Sequence, residues 1–262
     1  MRLIPIDHPA LRERTGKGVS IAVIDSGVNP EHPHVGDIAG GVALTTDGEM
    51  HDDYVDRLGH GTAVTAAIQE KAPDAEIHVV KVFDDALATS VPTLVRAIDW
   101  ASERGFRLVN LSLGTPNAHR AAQLLPAIER AVDRCTIVVS ALRNEGRSWF
   151  PGSLPGAVGV VLDPNCSRNA VGIVERTSAL ATPSLPLDPS SAVSTVLAIA
   201  ASPYPRPIPR VPVEHNLNGI SFAVANATGV LARLIEDAPA EMGPEAIVTR
   251  LAGLAVDGGD QS

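Results

Sequence analysis

A chain of 262 residues can form one large α/β domain or two smaller ones, and its hydrophobic fraction of 45% allows a sizeable core. Only 3% of the residues are aromatic, so we expect aliphatic side chains to fill that core. The formal net charge is −9, and no cluster of Lys and Arg indicates a nucleic-acid surface. The composition therefore excludes a basic nucleic-acid-binding protein and favours an acidic, soluble one.

The N-terminus and the cysteines suggest where the protein resides. The first nine residues contain no apolar run long enough for a signal peptide, and no stretch approaches the length of a membrane span. Cys135 and Cys166 are too few for a disulfide framework and lack the spacing of zinc ligands. We expect a cytoplasmic protein without cofactor or metal and without a membrane partner. Nothing in the sequence specifies an oligomeric state.

Short apolar runs alternate with helix-like segments along the chain. The first run, Val19–Asp25, is apolar throughout, as central parallel strands are. The predicted strands are Val19–Asp25, Gly41–Leu44, Ile77–Phe83, Leu108–Gly114, Thr136–Ser140, Val158–Leu162 and Val193–Ala200. The predicted helices are His60 to near Pro73, Val91–Glu103, His119–Arg134 and a buried helix that begins at Ser221.

This alternation predicts a doubly wound, mainly parallel β-sheet flanked by helices, with right-handed βαβ units. We expect a single domain over residues 1–262, in which 1–18 form an N-terminal extension and 254–262 a mobile tail. The Pro-rich stretch 203–209 is interpreted as a loop inside that domain, because a boundary there would separate the last helices from the sheet.

Three polar residues lie at strand ends or helix starts. Asp25 ends the first strand, where it is either a buried orienting carboxylate or a turn-forming residue. His60 opens a helix and is either a general base or a cap. Ser221 follows Gly219 where a loop becomes a helix, a position that suits a nucleophile as well as an N-cap. Each residue alone favours the structural role.

The segment between residues 29 and 58 is rich in Gly, Pro, Asp and His and lacks periodicity. Its titratable residues include His32, His34, His51, Asp52, Asp53 and Asp56. Their spacings match no compact metal-ligand motif, so we interpret them as solvated loop residues.

Five short motifs resemble, in order and spacing, those of the subtilisin-like serine proteases (the subtilase family, peptidase family S8). They are Asp25-Ser26-Gly27, His60-Gly61-Thr62, Asn110-Leu111-Ser112-Leu113-Gly114, Asn144-Glu145-Gly146 and Gly219-Ile220-Ser221-Phe222-Ala223. Each motif is weak alone, but the set extends over nearly the whole chain, from about Val19 to Leu251.

The resemblance implies a serine endopeptidase that acts on polypeptides. It assigns Ser221 as nucleophile, His60 as general base, Asp25 as the carboxylate that orients His60, and Asn144 as oxyanion donor. It also implies substrate-binding roles for Ser112, Leu113 and Gly114, which would pair with the substrate backbone, and for Arg143 in the primary pocket. Family members often bind calcium, but the sequence shows no convincing carboxylate-rich loop, and we predict no metal site.

Several positions depart from the family pattern. Ile220 replaces the usual threonine, Ala225-Asn226 replaces Pro-His, and Arg143 replaces glycine, with a side chain that either binds acidic substrate groups or extends into solvent. The loop Arg147–Phe150 is short, which predicts a shallow pocket with Trp149 or Phe150 as a wall.

Only 24 residues precede Asp25, too few for a folding propeptide, which fits an intracellular processing or peptide-maturation protease. The alternative is a catalytically weak or silent subtilisin-like domain that binds peptides or proteins.

Overall fold

A computed structural model of the chain describes residues 2–83, 86–174, 197–207 and 217–257. Five α-helices are present in these ranges: α1 (His60–Lys71), α2 (Val91–Glu103), α3 (Ala121–Asp133), α4 (Ile220–Ile235) and α5 (Pro244–Asp257). The strands are β1 (Leu3–Pro5), β2 (Ser20–Asp25), β3 (Gly40–Leu44), β4 (Met50–His51), β5 (Glu76–Lys81), β6 (Leu108–Leu111), β7 (Ile137–Ala141), β8 (Arg143–Asn144), β9 (Arg147–Ser148), β10 (Val158–Leu162), β11 (Ala170–Ile173) and β12 (Leu197–Ala201).

Ten of these strands form one sheet in the order β1-β11-β12-β10-β7-β6-β2-β5-β3-β4. The seven strands from β12 to β3 are parallel, and the remaining three pair antiparallel at the two ends. The central strands are buried on both faces, as their continuous Val, Ile and Ala runs predict. The predicted doubly wound, mainly parallel sheet is confirmed.

The helices cover both faces of the sheet. α1, α4 and α5 pack with one face of β2, β7 and β10, and α2 and α3 pack with the other face. α4 is buried along nearly its whole length, so it is apolar on all sides and lies at the centre of its layer. Both α1 and α4 begin at the carboxyl edge of the parallel strands, the edge where open α/β sheets bind ligands.

α1 and α4 approach each other closely at Gly229. A Cβ atom at this position would lie 2.6 Å from Lys71 Cβ and 2.9 Å from the carbonyl oxygen of Ile68. The two helix backbones can therefore reach this separation only because residue 229 carries no side chain.

The ends of the chain differ from the sequence-based expectation. The expected N-terminal extension contributes β1, which pairs antiparallel with β11 at the edge of the sheet. α5 continues through Asp257, so the first residues of the expected tail, from residue 254, are helical; residues 258–262 lie outside the described part.

Some strand boundaries also differ. The strand predicted to reach Gly114 ends at Leu111, because the residues after it leave the ladder to β7. In the last predicted strand, β12 covers Leu197–Ala201, and residues 193–196 lie outside the described part.

Candidate active site

Asp25 and His60 form a hydrogen-bonded pair at the carboxyl edge of the sheet. Asp25 ends β2 with its side chain fully buried, and His60 opens α1 with 22% of its side chain exposed. His60 Nδ1 lies 2.7 Å from Asp25 Oδ1, which also accepts a hydrogen bond from the Ser26 N–H at 2.8 Å. When the carboxylate holds a proton on Nδ1, the neutral ring has an unprotonated Nε2.

The first turn of α1 is capped by side chains from outside the helix. Its N-cap is Gly59, which has a left-handed backbone (φ 81°) and no side chain that could cap. Instead, Asp56 Oδ2 accepts from the Thr62 N–H and Ser26 Oγ accepts from the Gly61 N–H, both at 2.9 Å. Ser26 Oγ in turn donates to Asp56 Oδ1 at 2.9 Å. These contacts satisfy N–H groups that a helix start leaves unpaired, and they fix the position of His60.

Among the described residues, the Asp56 carboxylate accepts five hydrogen bonds; the other three come from Leu58 N–H, Gly59 N–H and the Thr62 hydroxyl. Partial burial alone would raise the pKa of Asp56, but these hydrogen bonds together lower it below 3.8. The interpretation of Asp56 as a solvated loop residue is therefore wrong. The sequence signal that could have identified this role is the position of Asp56 three residues before Gly59, the N-cap of α1.

The electrostatic surroundings of His60 favour its charged form. Burial alone would lower the pKa of the imidazole, but the hydrogen bond that His60 donates to Asp25 and the charges of Asp25 and Asp56 outweigh it. The pKa of His60 is thus raised above 6.5. An imidazole whose charged form is stabilised in this way is suited to take up a proton from a neighbouring group.

Ser221 lies inside the first turn of α4, whose N-cap is Gly219, so it is not the cap. Its N–H makes no backbone hydrogen bond within the described ranges, and the helix start places partial positive charge beside it. His60 and Ser221 line the same cleft, and the ring of Phe222 lies 6.2 Å from the imidazole, centroid to centroid.

Reciprocal hydrogen bonds join Ser221 to Ser112. Ser221 Oγ donates to the Ser112 carbonyl, and Ser112 Oγ donates to the Ser221 carbonyl, both at 3.2 Å. Behind them, Asn110 Nδ2 donates to Ser112 Oγ at 3.0 Å, and Thr228 Oγ1 donates to Asn110 Oδ1 at 3.0 Å. This polar chain ties the end of β6 to the first three turns of α4, and it orders the surroundings of Ser221.

Asn144 and Arg143 lie in a tight hairpin that follows β7. β8 and β9 pair antiparallel, and the turn residues Glu145 (φ 49°) and Gly146 (φ 76°) are both left-handed, as a type I′ turn requires. Asn144 is half-buried and Arg143 is exposed. Neither side chain makes a hydrogen bond to another described residue.

Three clefts adjoin along this edge of the sheet. The first is lined by Leu113 and Gly114 together with the start of α2. The second is the cleft of His60 and Ser221, and it shares Leu87 with the first. The third cleft lies beyond the start of α1. It shares Gly59, Ala63 and Leu217 with the second. We refer to these three adjoining clefts together as the trough.

A family model described as the subtilase family matches residues 16–261 of this chain. The chain belongs to the subtilase family. The predicted resemblance is thereby confirmed. Members of this family are serine peptidases that act on polypeptides.

Individual relatives agree with this assignment. Subtilisin NAT from Bacillus subtilis subsp. natto is 31% identical over 188 residues, which are 64% of this chain and 48% of the relative. Subtilisin Savinase from Lederbergia lenta is 33% identical over 177 residues, or 62% of this chain and 63% of the relative. This subtilase spans about half the length of several curated relatives that it matches.

The fold is also found among solved structures. The crystal structure of a cold-adapted subtilisin-like serine proteinase matches with a TM-score of 0.64 over 90% of this chain and 81% of that chain, at 20% identity.

The departures from the family pattern in α4 have structural roles in this subtilase. Asn226 is buried, and its Nδ2 donates to the carbonyls of Ser202 at 2.9 Å and Tyr204 at 3.0 Å, which fixes the loop after β12 to the helix. Ile220 is half-buried against the apolar cluster around α4.

No group of three or more His, Cys, Asp or Glu residues in the described ranges is arranged to hold a metal ion. None of the helices in those ranges has the length and apolarity of a membrane span. The expected lack of a metal and the cytoplasmic location stay predictions from the sequence.

Proposed function

We propose that this subtilase is a serine endopeptidase in which Ser221 attacks the peptide carbonyl, with His60 as base and Asp25 as its orienting group. The observation that carries the proposal is the Asp25–His60 pair, 2.7 Å long, at the cleft that also holds Ser221. A carboxylate, an imidazole and a hydroxyl in that order provide an activated nucleophile.

Proton transfer requires one local rearrangement. The Ser221 hydroxyl, which donates to the Ser112 carbonyl, must turn so that it donates to His60 Nε2. Catalytic hydrogen bonds are often long or misdirected in the absence of substrate, and a serine rotamer change takes only picoseconds to nanoseconds at an accessible site. His60 then takes the proton during attack and returns it to the leaving amine, while Asp25 stabilises the imidazolium.

The oxyanion of the tetrahedral intermediate would receive two donors. One is the Ser221 N–H at the start of α4, and the other is the side-chain amide of Asn144, which has no hydrogen-bond partner among the described residues. Loss of one such donor typically reduces kcat by about 100- to 1000-fold.

The shape of the trough fits an extended polypeptide. Ser112, Leu113 and Gly114 leave the sheet ladder after β6, so their backbone is available to pair with a substrate strand. The adjoining clefts would hold substrate side chains on both sides of the scissile bond. The exposed Arg143 would bind an acidic substrate group at the edge of the trough. A selective processing or peptide-maturation role in the cytoplasm is the biological setting we propose for this enzyme.

Labelling with a fluorophosphonate probe tests the proposal. We expect covalent labelling of the wild type, none of Ser221→Ala, and undiminished labelling of Ser148→Ala, which removes a nearby serine from β9. Folded wild-type protein that is not labelled would refute the proposed activity.

A second candidate function is a peptide-binding module without catalysis. It is favoured by the hydrogen bond that directs Ser221 Oγ to Ser112 instead of His60. In that case a peptide library would bind the wild type and Ser221→Ala equally, no member would be cleaved, and the probe would not react.

A further inference from the structure

The backbone of Trp149 is fixed between the two segments that flank the reaction site. Its N–H donates to the Leu142 carbonyl at 2.9 Å, and its carbonyl accepts from the Ser153 N–H at 3.0 Å and from Ser153 Oγ at 2.9 Å. The next residue, Phe150, exchanges two hydrogen bonds with Thr115, of 2.9 and 3.0 Å. Trp149 therefore follows the hairpin in a rigid position.

The indole of Trp149 lies directly against Gly114. A Cβ atom on Gly114 would lie 2.7 Å from Trp149 Cδ1 and 2.8 Å from Trp149 Nε1. The ring can approach this closely because residue 114 has no side chain. Trp149 is half-buried and packs against the apolar cluster of α4, so the contact is part of the folded core.

The position of the indole matters for the substrate residue on the amino side of the scissile bond, here called P1. A substrate strand on Ser112–Gly114 brings its carbonyl to Ser221, whose Oγ already reaches the Ser112 carbonyl. With the substrate carbonyl at Ser221 and its oxyanion at Asn144, as proposed above, the P1 side chain would lie between the segments Ser112–Gly114 and Leu142–Asn144. Trp149 connects these two segments, since its N–H binds Leu142 and its ring covers Gly114.

We propose that Trp149 occupies the primary side-chain pocket, so that this subtilase cleaves after residues with small side chains (glycine, alanine or serine). This inference rests on the proposed function and adds a substrate class to it. A large P1 side chain would need the indole to move off Gly114 and away from the apolar cluster of α4. The backbone that carries the ring is held by hydrogen bonds to Leu142 and Ser153 and by the paired Phe150, so the ring cannot move aside together with its backbone.

The test compares Trp149→Ala with the wild type on peptide substrates that differ only at P1, with active sites counted by fluorophosphonate titration. We expect the wild type to prefer P1 Ala to P1 Phe, and Trp149→Ala to raise the Phe/Ala ratio of kcat/KM by about 10-fold or more, as an opened apolar pocket allows. Trp100→Ala is the matched control. It removes the other tryptophan, which stacks on Phe106 and Arg104 away from the trough, and should leave the ratio unchanged.

The outcomes separate this inference from the proposed function. If the probe labels Ser221 but the wild type prefers P1 Phe, or Trp149→Ala does not change the ratio, the role of Trp149 is wrong while the protease activity stands. If folded wild type is not labelled, the protease activity is wrong, and binding of the same peptides to Ser221→Ala and Ser221→Ala/Trp149→Ala decides. The pocket assignment is supported if Ser221→Ala binds the P1 Ala peptide more tightly and Ser221→Ala/Trp149→Ala binds the P1 Phe peptide more tightly. Any other binding pattern, including no binding, overturns it. Trp149→Phe, with a smaller ring, should be intermediate and guards against misfolding of the alanine variant.

Discussion

The substitution Asp56→Asn alters the cap of α1 without removing a hydrogen bond of His60, because Asp56 makes no hydrogen bond to His60 among the described residues. The amide oxygen of asparagine can keep the three hydrogen bonds at the Oδ1 position, from Ser26, Leu58 and Gly59. Its NH₂ group then replaces Oδ2. We expect the variant to fold with lower stability and with a lower pKa of His60.

The expected loss follows from the contacts at Oδ2. The Thr62 N–H donates to this oxygen at 2.9 Å and would face another donor in the variant. A buried N–H without an acceptor costs about 1–3 kcal/mol, and loss of a negative charge at a helix start costs about 0.3–1 kcal/mol. The Thr62 hydroxyl can rotate to accept from the new NH₂ group. We therefore expect the free energy of unfolding to fall by about 2 kcal/mol.

Two measurements on a Ser221→Ala background check this, since that background avoids self-cleavage. Urea unfolding gives the stability, and NMR titration of the imidazole gives the pKa of His60. Asp53→Asn is the control, because it removes the same charge from the same loop but breaks only an exposed pair with Arg57 (2.7 Å) and a weak turn contact. We expect no measurable change in that control.

The stability difference between wild type and Asp56→Asn should also change with pH in a definite direction. The pKa of Asp56 is lowered from 3.8, so its stabilising effect is complete above pH 3.8 and is lost as the pH falls through the lower pKa of the folded state. The stabilities of wild type and Asp56→Asn should therefore converge in acid. Equal stability of Asp56→Asn and Asp53→Asn at pH 7, or a pKa of His60 that stays the same or rises, would refute the proposed cap.

Three further outcomes are expected. The pKa of His60 is raised above 6.5 and the base must be neutral, so kcat/KM should rise with pH to a plateau with its midpoint above 6.5; a midpoint below 6.5 contradicts the pairing. Asn144→Ala should lower kcat by about 100- to 1000-fold with KM and thermal stability nearly unchanged, and an unchanged kcat would remove Asn144 from the oxyanion site. Gly229→Ala places a Cβ 2.9 Å from the Ile68 carbonyl and should lower the free energy of unfolding in urea by about 1–3 kcal/mol. The control Gly253→Ala in α5, with no atom within 4 Å of the new Cβ, should not destabilise the protein. Equal effects of the two substitutions would contradict the close crossing.

The sequence predicts the central fold well because the relevant signals are local. The strand Val158–Leu162 and the helix Val91–Glu103 have the predicted boundaries, since each combines a clear period with defined ends. The N-cap Ser90 accepts from the Thr93 N–H, and Pro92 lies in the first turn of the helix. In contrast, β1 and β4 have only three and two residues, and β1 contains a proline. Their existence depends on pairing with distant strands, which no local pattern records.

The same distinction applies to the site. Asp25, His60 and Ser221 can be singled out from the sequence because the short motifs around them occur in the order of the subtilase family, although each residue alone favours a structural role. Asp56 has only the weak local signal of its position three residues before Gly59, and its contact with Ser26, thirty residues earlier in the chain, leaves no local pattern. Trp149 was predicted only as one of two candidate walls, because its contact with Gly114 requires the hairpin geometry.

The crossing of α1 and α4 explains why His60 and Ser221 reach the same cleft although they are far apart in sequence. His60 lies eight residues before Ile68, and Ser221 lies eight residues before Gly229, the two positions that meet at the crossing. At a rise of about 1.5 Å per residue, both helices extend about 12 Å from the crossing to the edge of the sheet. His60 and Ser221 are therefore at about the same distance along their helices from this common contact. Gly229, which lets the two helices touch, is thus tied to the placement of the two residues that we propose as base and nucleophile.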